Sequence, residues 1–241
     1  MPDAALDPAP DPIRIAIIDS GAHPAHPHID AARLLPGFAI APDGSDSDMD
    51  SCDALGHGTA VTAAIQSHAP DALCLPIRVF HDSLRTTARA LVAAIDRALA
   101  ARVDLINLSL GTMNPAHRDL FAAAADRALA AGVLIVAARE ADGTPCYPGS
   151  LPQVLGVSLD WACPRDRHRV RDGLAYASGH PRPIPGVPQR RNLHGVSFAV
   201  ANMSGLVAGG GRPEVARHLG QAMPNPMTRS TIQKQPIAPT A

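Results

Sequence analysis

Ile13-Arg14-Ile15-Ala16-Ile17-Ile18-Asp19-Ser20-Gly21 is the stretch on which the fold turns. Five of its first six residues are apolar and four are β-branched, with Pro12 before the run and Gly21 after it. A continuous apolar run of this length, punctuated at both ends, predicts a strand buried on both faces, which is the habit of a parallel sheet. Residues 73–80, 103–108 and 133–138 repeat the pattern, and residues 154–159 do so with fewer β-branched positions. Between these runs lie helical patterns. Residues 84–102 carry Leu91, Ile95 and Leu99 at intervals of four, and residues 115–131 form a second Ala-rich helix stopped by Gly132, a favourable residue just past a helix end. Strands alternating with helices predict an α/β fold, a mostly parallel sheet with helices on both faces.

Composition narrows the class. The chain has 241 residues, 46% hydrophobic and 18% charged, with a formal net charge of -1, so it can build a core and lacks the signature of global disorder. The balanced charge argues against a dedicated nucleic-acid or membrane-surface binder, and 3% aromatic residues leave little for stacking platforms. No apolar stretch is long enough to span a bilayer. Cys52, Cys74, Cys146 and Cys163 include no C-x-x-C pair and make no disulfide framework, so reduced thiols in the cytoplasm are expected. Residues 1–12 are acidic and Pro-rich with no secretory pattern, and with no room for a pro-domain ahead of the first strand. They read as a flexible tail, as do residues 223–241, which leaves one domain over residues 13–222.

Two segments concentrate charge. Asp43, Asp46, Asp48, Asp50 and Asp53 fall in eleven residues without a basic partner, and residues 165–191 hold seven arginines against two aspartates. A solvated loop explains either one. The acidic loop has two further readings: a calcium site, although it lacks the glycine and terminal glutamate of an EF-hand, or an attractor for basic substrate side chains. His23, His26 and His28 invite a metal reading beside that of an ordinary His-Pro turn.

Three positions can carry chemistry. Asp19 stands at the carboxyl end of the first strand, where open α/β sheets place their sites, though an Asp there can also cap a turn. His57 lies in Gly56-His57-Gly58-Thr59, which opens a helix over residues 59–68 and lets other backbone approach closely. Ser197 lies in Gly195-Val196-Ser197-Phe198-Ala199 at another helix start, where the dipole and free N–H groups suit a nucleophile that generates an oxyanion, and where an N-cap serine is equally at home. The order Asp, His, Ser along one chain, each flanked by small residues, points to a Ser-His-Asp hydrolase.

With these motifs in hand, the sequence resembles the subtilisin-like (S8) serine peptidases. IAIIDSG is similar to that family's Asp motif, with His26-Pro27 following; GHGTAV is similar to its His motif; and GVSFAVANMSG is similar to its Ser motif. Ile106-Asn107-Leu108-Ser109-Leu110-Gly111 resembles the segment that pairs with substrate backbone, and Tyr147-Pro148-Gly149 the stretch before a later core strand. The likeness runs from about residue 13 to residue 210. It implies a three-layer fold, Ser197 as nucleophile, His57 as general base and acid, and Asp19 as the carboxylate that orients and stabilises the imidazolium. Ser109, Leu110 and Gly111 would hold a peptide as an added strand. No cofactor, metal, nucleic acid or membrane is called for.

The sequence also departs from that family. The oxyanion Asn expected after residues 133–138 is absent, and Arg139, Glu140, Ala141 and Asp142 stand there instead. Glu140 is taken as the replacement, donating from a protonated carboxyl. Val196 replaces the usual Thr, Ala201 and Asn202 stand at the usual Pro and His, and Gly209-Gly210-Gly211 interrupts the last helix. The function expected is that of a serine endopeptidase performing limited processing of a specific peptide or precursor, such as leader removal. The alternative is a catalytically impaired subtilase fold that binds peptides or a partner protease.

Overall fold

A computed structural model describes residues 11–222; both tails read from the sequence, apart from residues 11 and 12, lie outside the described residues. The chain runs β1 (Arg14–Asp19), β2 (Phe38–Ile40), β3 (Asp46–Ser47), α1 (His57–Gln66), β4 (Leu73–Arg78), α2 (Ala88–Ala100), β5 (Leu105–Leu108), α3 (Arg118–Ala130) and β6 (Leu134–Ala138). It continues through β7 (Glu140–Ala141), β8 (Thr144–Pro145), β9 (Leu155–Leu159), β10 (Arg169–Arg171), β11 (Leu174–Ala177), α4 (Val196–Gly209) and α5 (Gly211–Ala222).

The nine-stranded sheet has the order β10-β11-β9-β6-β5-β1-β4-β2-β3, and β7 and β8 form a separate hairpin. The six inner pairings, from β11 to β2, are parallel, whereas β10–β11 and β2–β3 are antiparallel. The five long strands are those expected from the apolar runs. The other six, of two to four residues, escape pattern reading because they carry short apolar runs at most and owe their pairing to distant chain.

Period-2 alternation sorts the core into two sides. Ile15 and Ile17 of β1, Leu105 of β5 and Val136 of β6 pack with Val61, Ile65, Phe198 and Met203 of α1 and α4. Ala16 and Ile18, Ile106 and Leu108, and Ile135 pack with Leu91, Ile95, Phe121 and Ala124 of α2 and α3. Three layers result, α1/α4, sheet and α2/α3. Asp19 has the parity of Ile15 and Ile17, so the strand delivers it to the α1/α4 face. Strand β1 is also where the chain order reverses, since β4 lies on one side and β5 on the other. The crevice beyond the carboxyl ends of β1 and β5 is therefore the switch point where such sheets bind ligands.

Helix boundaries differ modestly from the periodic reading. Thr87 caps α2 by accepting from the N–H of Ala90, which starts that helix at Ala88. A 3-10 turn, Pro115–His117, occupies the start of the segment that continues as α3. Helix α1 starts two residues earlier than expected, at His57 itself. The glycine run does divide α4 from α5.

Candidate active site

Asp19 is fully buried at the end of β1, and its Oδ1 accepts from the N–H of Ser20 at 2.8 Å and lies 2.7 Å from His57 Nδ1. That contact fixes the ring: Nδ1 carries the proton toward the carboxylate, and Nε2 is left to face solvent or a nucleophile. Burial pulls the His57 imidazole down, but the hydrogen bond and charge of Asp19, with the charge of Asp53, outweigh it and hold its pKa above the ordinary value of 6.5. The Phe198 ring, 5.8 Å away between centroids, walls the imidazole on the α4 side.

Two contacts bring α1 close enough to β1 for this pair to form. Gly58 N donates to Ser20 Oγ at 2.8 Å, and a Cβ on Gly58 would fall 2.2 Å from the carbonyl oxygen of Gly21. The small residue after His57 thus answers to close backbone approach. The second contact is Asp53, which in the sequence is one of the five aspartates of the acidic loop. It is buried, and its Oδ1 accepts from the N–H groups of Leu55 and Gly56 while Oδ2 accepts from the N–H and hydroxyl of Thr59. Gly56 offers α1 no side-chain cap, so Asp53 satisfies the first turn from outside. Burial works against the Asp53 charge, but the Thr59 hydrogen bonds prevail and its pKa is lowered. The available signal was an Asp four residues ahead of a helical His.

Ser197 is the second residue of α4 and faces the end of β5. Its hydroxyl donates to the carbonyl of Ser109 at 3.1 Å, and Ser109 Oγ in turn approaches the Ser197 carbonyl at 3.5 Å. Behind them, Asn107 Nδ2 donates to Ser109 Oγ at 2.8 Å, and Ser204 Oγ donates to Asn107 Oδ1 at 2.9 Å. Leu105, Asn107 and Ser109 share one parity, so the polar pair replaces the apolar pattern on the face that α4 covers. Ser109, Leu110 and Gly111 follow β5; beyond them Thr112 and Tyr147 exchange two backbone hydrogen bonds of 3.0 and 2.8 Å.

Glu140 follows β6 in the hairpin β7–β8, and its Oε1 accepts from Ser158 Oγ at 3.0 Å. The loops of concentrated charge are answered largely inside the molecule. Asp46 pairs with Arg97 at 3.0 Å, Asp50 lies 3.7 Å from Arg78, and Asp43 accepts from Ser45. Arg169 and Arg171 share Asp160, each at 2.9 Å, and Arg182 donates to the carbonyl of His28. His28 N donates to His26 Nδ1, and their rings meet edge-on. Among the described residues no group of three or more His, Cys, Asp or Glu is arranged to hold a metal. All four cysteines are free. No helix among the described residues is long and apolar enough to cross a membrane.

Comparisons with known proteins agree with this architecture. The Subtilase family model matches residues 11–158, a stretch that contains Asp19 and His57 and ends before Ser197. The minor extracellular protease Epr of Bacillus subtilis (strain 168) is 30% identical over 158 residues, 61% of this chain and 23% of the relative. The intracellular serine protease of Paenibacillus polymyxa is 28% identical over 220 residues, 81% of this chain and 65% of the relative. The chain thus spans less than two thirds of the length of either relative. Among solved structures, the prenylagaramide maturation protease PagA superposes with a TM-score of 0.61 at 26% identity, covering 86% of this chain and 78% of that one. The family match over more than half the chain, on a three-layer fold that sets Asp19 against His57 at the sheet's switch point, establishes that this chain belongs to the subtilase family.

Proposed function

We propose that this chain is a serine endopeptidase in which Asp19, His57 and Ser197 form the catalytic triad. The observation that supports this reading most is the 2.7 Å contact of His57 Nδ1 with a fully buried Asp19, on the face where α4 opens with Ser197. In the reaction, Ser197 Oγ attacks the scissile carbonyl carbon while His57 Nε2 takes its proton. The C–N bond then breaks and that proton passes to the leaving amine; water completes hydrolysis of the acyl-enzyme by the same route. Asp19 stabilises the imidazolium. Backbone N–H groups at the start of α4 face the developing oxyanion with the positive end of the helix dipole. Glu140, held on one oxygen by Ser158, takes the place of the absent oxyanion Asn. Ser109, Leu110 and Gly111 receive the peptide as an added strand.

The proposed role is limited processing of a particular peptide or precursor protein in the cytoplasm. The likeness to a maturation protease supports the first part, and four unbonded thiols support the second. The bond from Ser197 to Ser109 and the missing oxyanion Asn favour the second reading, a peptide-binding subtilase fold with weakened chemistry. A fluorophosphonate probe separates the two. Covalent labelling of the wild type that disappears in Ser197→Ala establishes an activated serine, whereas an unlabelled wild type selects the binding role.

A further inference from the structure

The backbone of residues 178–180, beyond the stretch matched by the family, meets the Ser197 helix through three consecutive carbonyls. The oxygens of Ser178 and His180 both accept from Asn202 Nδ2, at 2.8 and 2.9 Å, while the oxygen of Gly179 between them accepts from Gly195 N at 2.9 Å. Alternate carbonyls of extended chain point to opposite sides. The segment is therefore a strap, tied on one side to the body of α4 and on the other to the turn two residues before Ser197.

The strap is itself held. Arg165 Nε donates to the carbonyl of His180 at 3.2 Å, and its terminal nitrogen reaches Asn202 Oδ1 at 3.3 Å and Ser67 Oγ at 3.0 Å. His68 Nε2 lies 3.1 Å from the same Asn202 oxygen. Every polar atom of the Asn202 amide is thus engaged, on a residue fully shielded from solvent. Trp161, the only tryptophan of the chain, covers the strap, with its ring 5.2 Å from that of His180 and 5.9 Å from that of His194. The cover is close: a Cβ on Gly179 would stand 2.3 Å from Leu159 and 2.8 Å from Trp161.

A buried amide could be satisfied by any neighbouring carbonyls. Here the two it selects flank the one that fixes Gly195, and Asn202 sits on the same rigid helix as Ser197, five residues on. Removing it releases the carbonyls on both sides of Gly179 and leaves the bond to Gly195 N as the strap's remaining tie to α4. We propose that Asn202, supported by Arg165, is a positioning residue: through residues 178–180 it sets the turn at Gly195 and hence the direction of the Ser197 hydroxyl. The proposal rests on Ser197 being the nucleophile.

The test uses the full chain as wild type, Ser197→Ala, Asn202→Leu and Arg165→Ala, each below its own melting temperature. Three quantities are read: the second-order rate constant of fluorophosphonate labelling, its pH profile, and the emission of Trp161. Asn202→Leu is expected to label at least ten-fold more slowly, with an unchanged pH midpoint because the Asp19–His57 pair is untouched, and with altered Trp161 emission. Arg165→Ala, at a half-exposed position that leaves the core intact, is expected to label about three-fold more slowly. A purely structural role would lower the fraction of folded protein and leave the rate constant alone. Wild-type rate constants in Arg165→Ala, or in Asn202→Leu where it folds, overturn the proposal. An unlabelled wild type overturns the peptidase reading, and this proposal with it, whereas a labelled wild type whose rate constant is lowered in Ser197→Ala alone overturns the positioning role alone.

Discussion

The hydroxyl of Ser197 donates to the carbonyl oxygen of Ser109 at 3.1 Å, so the proposed nucleophile rests on the strand proposed to bind substrate and not on His57. Net, such a bond between neutral groups is worth about 1 kcal/mol. The triad proposed above requires this bond to give way to one with His57 Nε2, a modest cost beside the binding of substrate. A peptide aligned along residues 109–111 competes for the same carbonyl region, so substrate binding and release of the hydroxyl are coupled.

Asp19→Asn keeps the shape of the site but removes its charge. The amide oxygen can occupy the place of Oδ1, accepting from Ser20, while the nitrogen falls at Oδ2, which is buried and has no hydrogen-bond partner. The expected result is folded protein with kcat lowered by about 10⁴-fold. Retention of wild-type turnover in this variant would remove Asp19 from the mechanism.

The pH profile follows from the raised His57 pKa. General-base chemistry needs the neutral imidazole, so activity should rise with pH through a midpoint above 6.5. Stability runs the other way. The folded state favours the imidazolium, so the contribution of the Asp19–His57 pair is complete below about 6.5 and is lost as pH rises through the folded-state pKa. A kcat/KM profile with its acidic midpoint at or below 6.5 contradicts this arrangement.

Asp53→Ala leaves four donors without their acceptor, the N–H and hydroxyl of Thr59 in the first turn of α1 and the N–H groups of Leu55 and Gly56 just before it. Losing a charged cap of this kind costs about 2 kcal/mol, which for a domain of this size lowers Tm by about 4–8 °C. Because Asp53 also supports the His57 charge, the midpoint of the pH–activity profile should shift downward in the same variant. A thermal melt and a pH–rate profile check the two effects separately.

Glu140→Gln tests the oxyanion role. The amide of the variant keeps a hydrogen-bond donor in the place of the carboxyl, so its activity should be retained. Glu140→Ala should lose about 10²–10³-fold in kcat. Equal kcat in the wild type and the alanine variant removes Glu140 from the oxyanion site.

Part of the fold is legible along the chain because its causes are local. Apolar runs bounded by Pro and Gly define β1, β4, β5, β6 and β9, and alternation along β1 decides which face Asp19 occupies. Glycine beside His57 reflects one close contact, and the interrupted last helix follows from three glycines in a row. These features depend on residue type and spacing alone, so the α/β class, the three layers and the candidates Asp19, His57 and Ser197 were all visible in the chain.

Only the folded chain decided the rest, because its partners are brought together from far apart. Asp53 reads as one more acid in an acidic loop until α1 is placed above it, and Asp46 and Asp50 read as free charge until Arg97 and Arg78 meet them. Arg165 stands 37 residues from Asn202, and Asn107 stands 97 residues from Ser204. A buried amide or hydroxyl must be satisfied, but its own sequence carries no record of which distant carbonyl or carboxylate will do so. Period and composition determine which elements form; desolvation, acting after those elements pack, determines which polar groups pair.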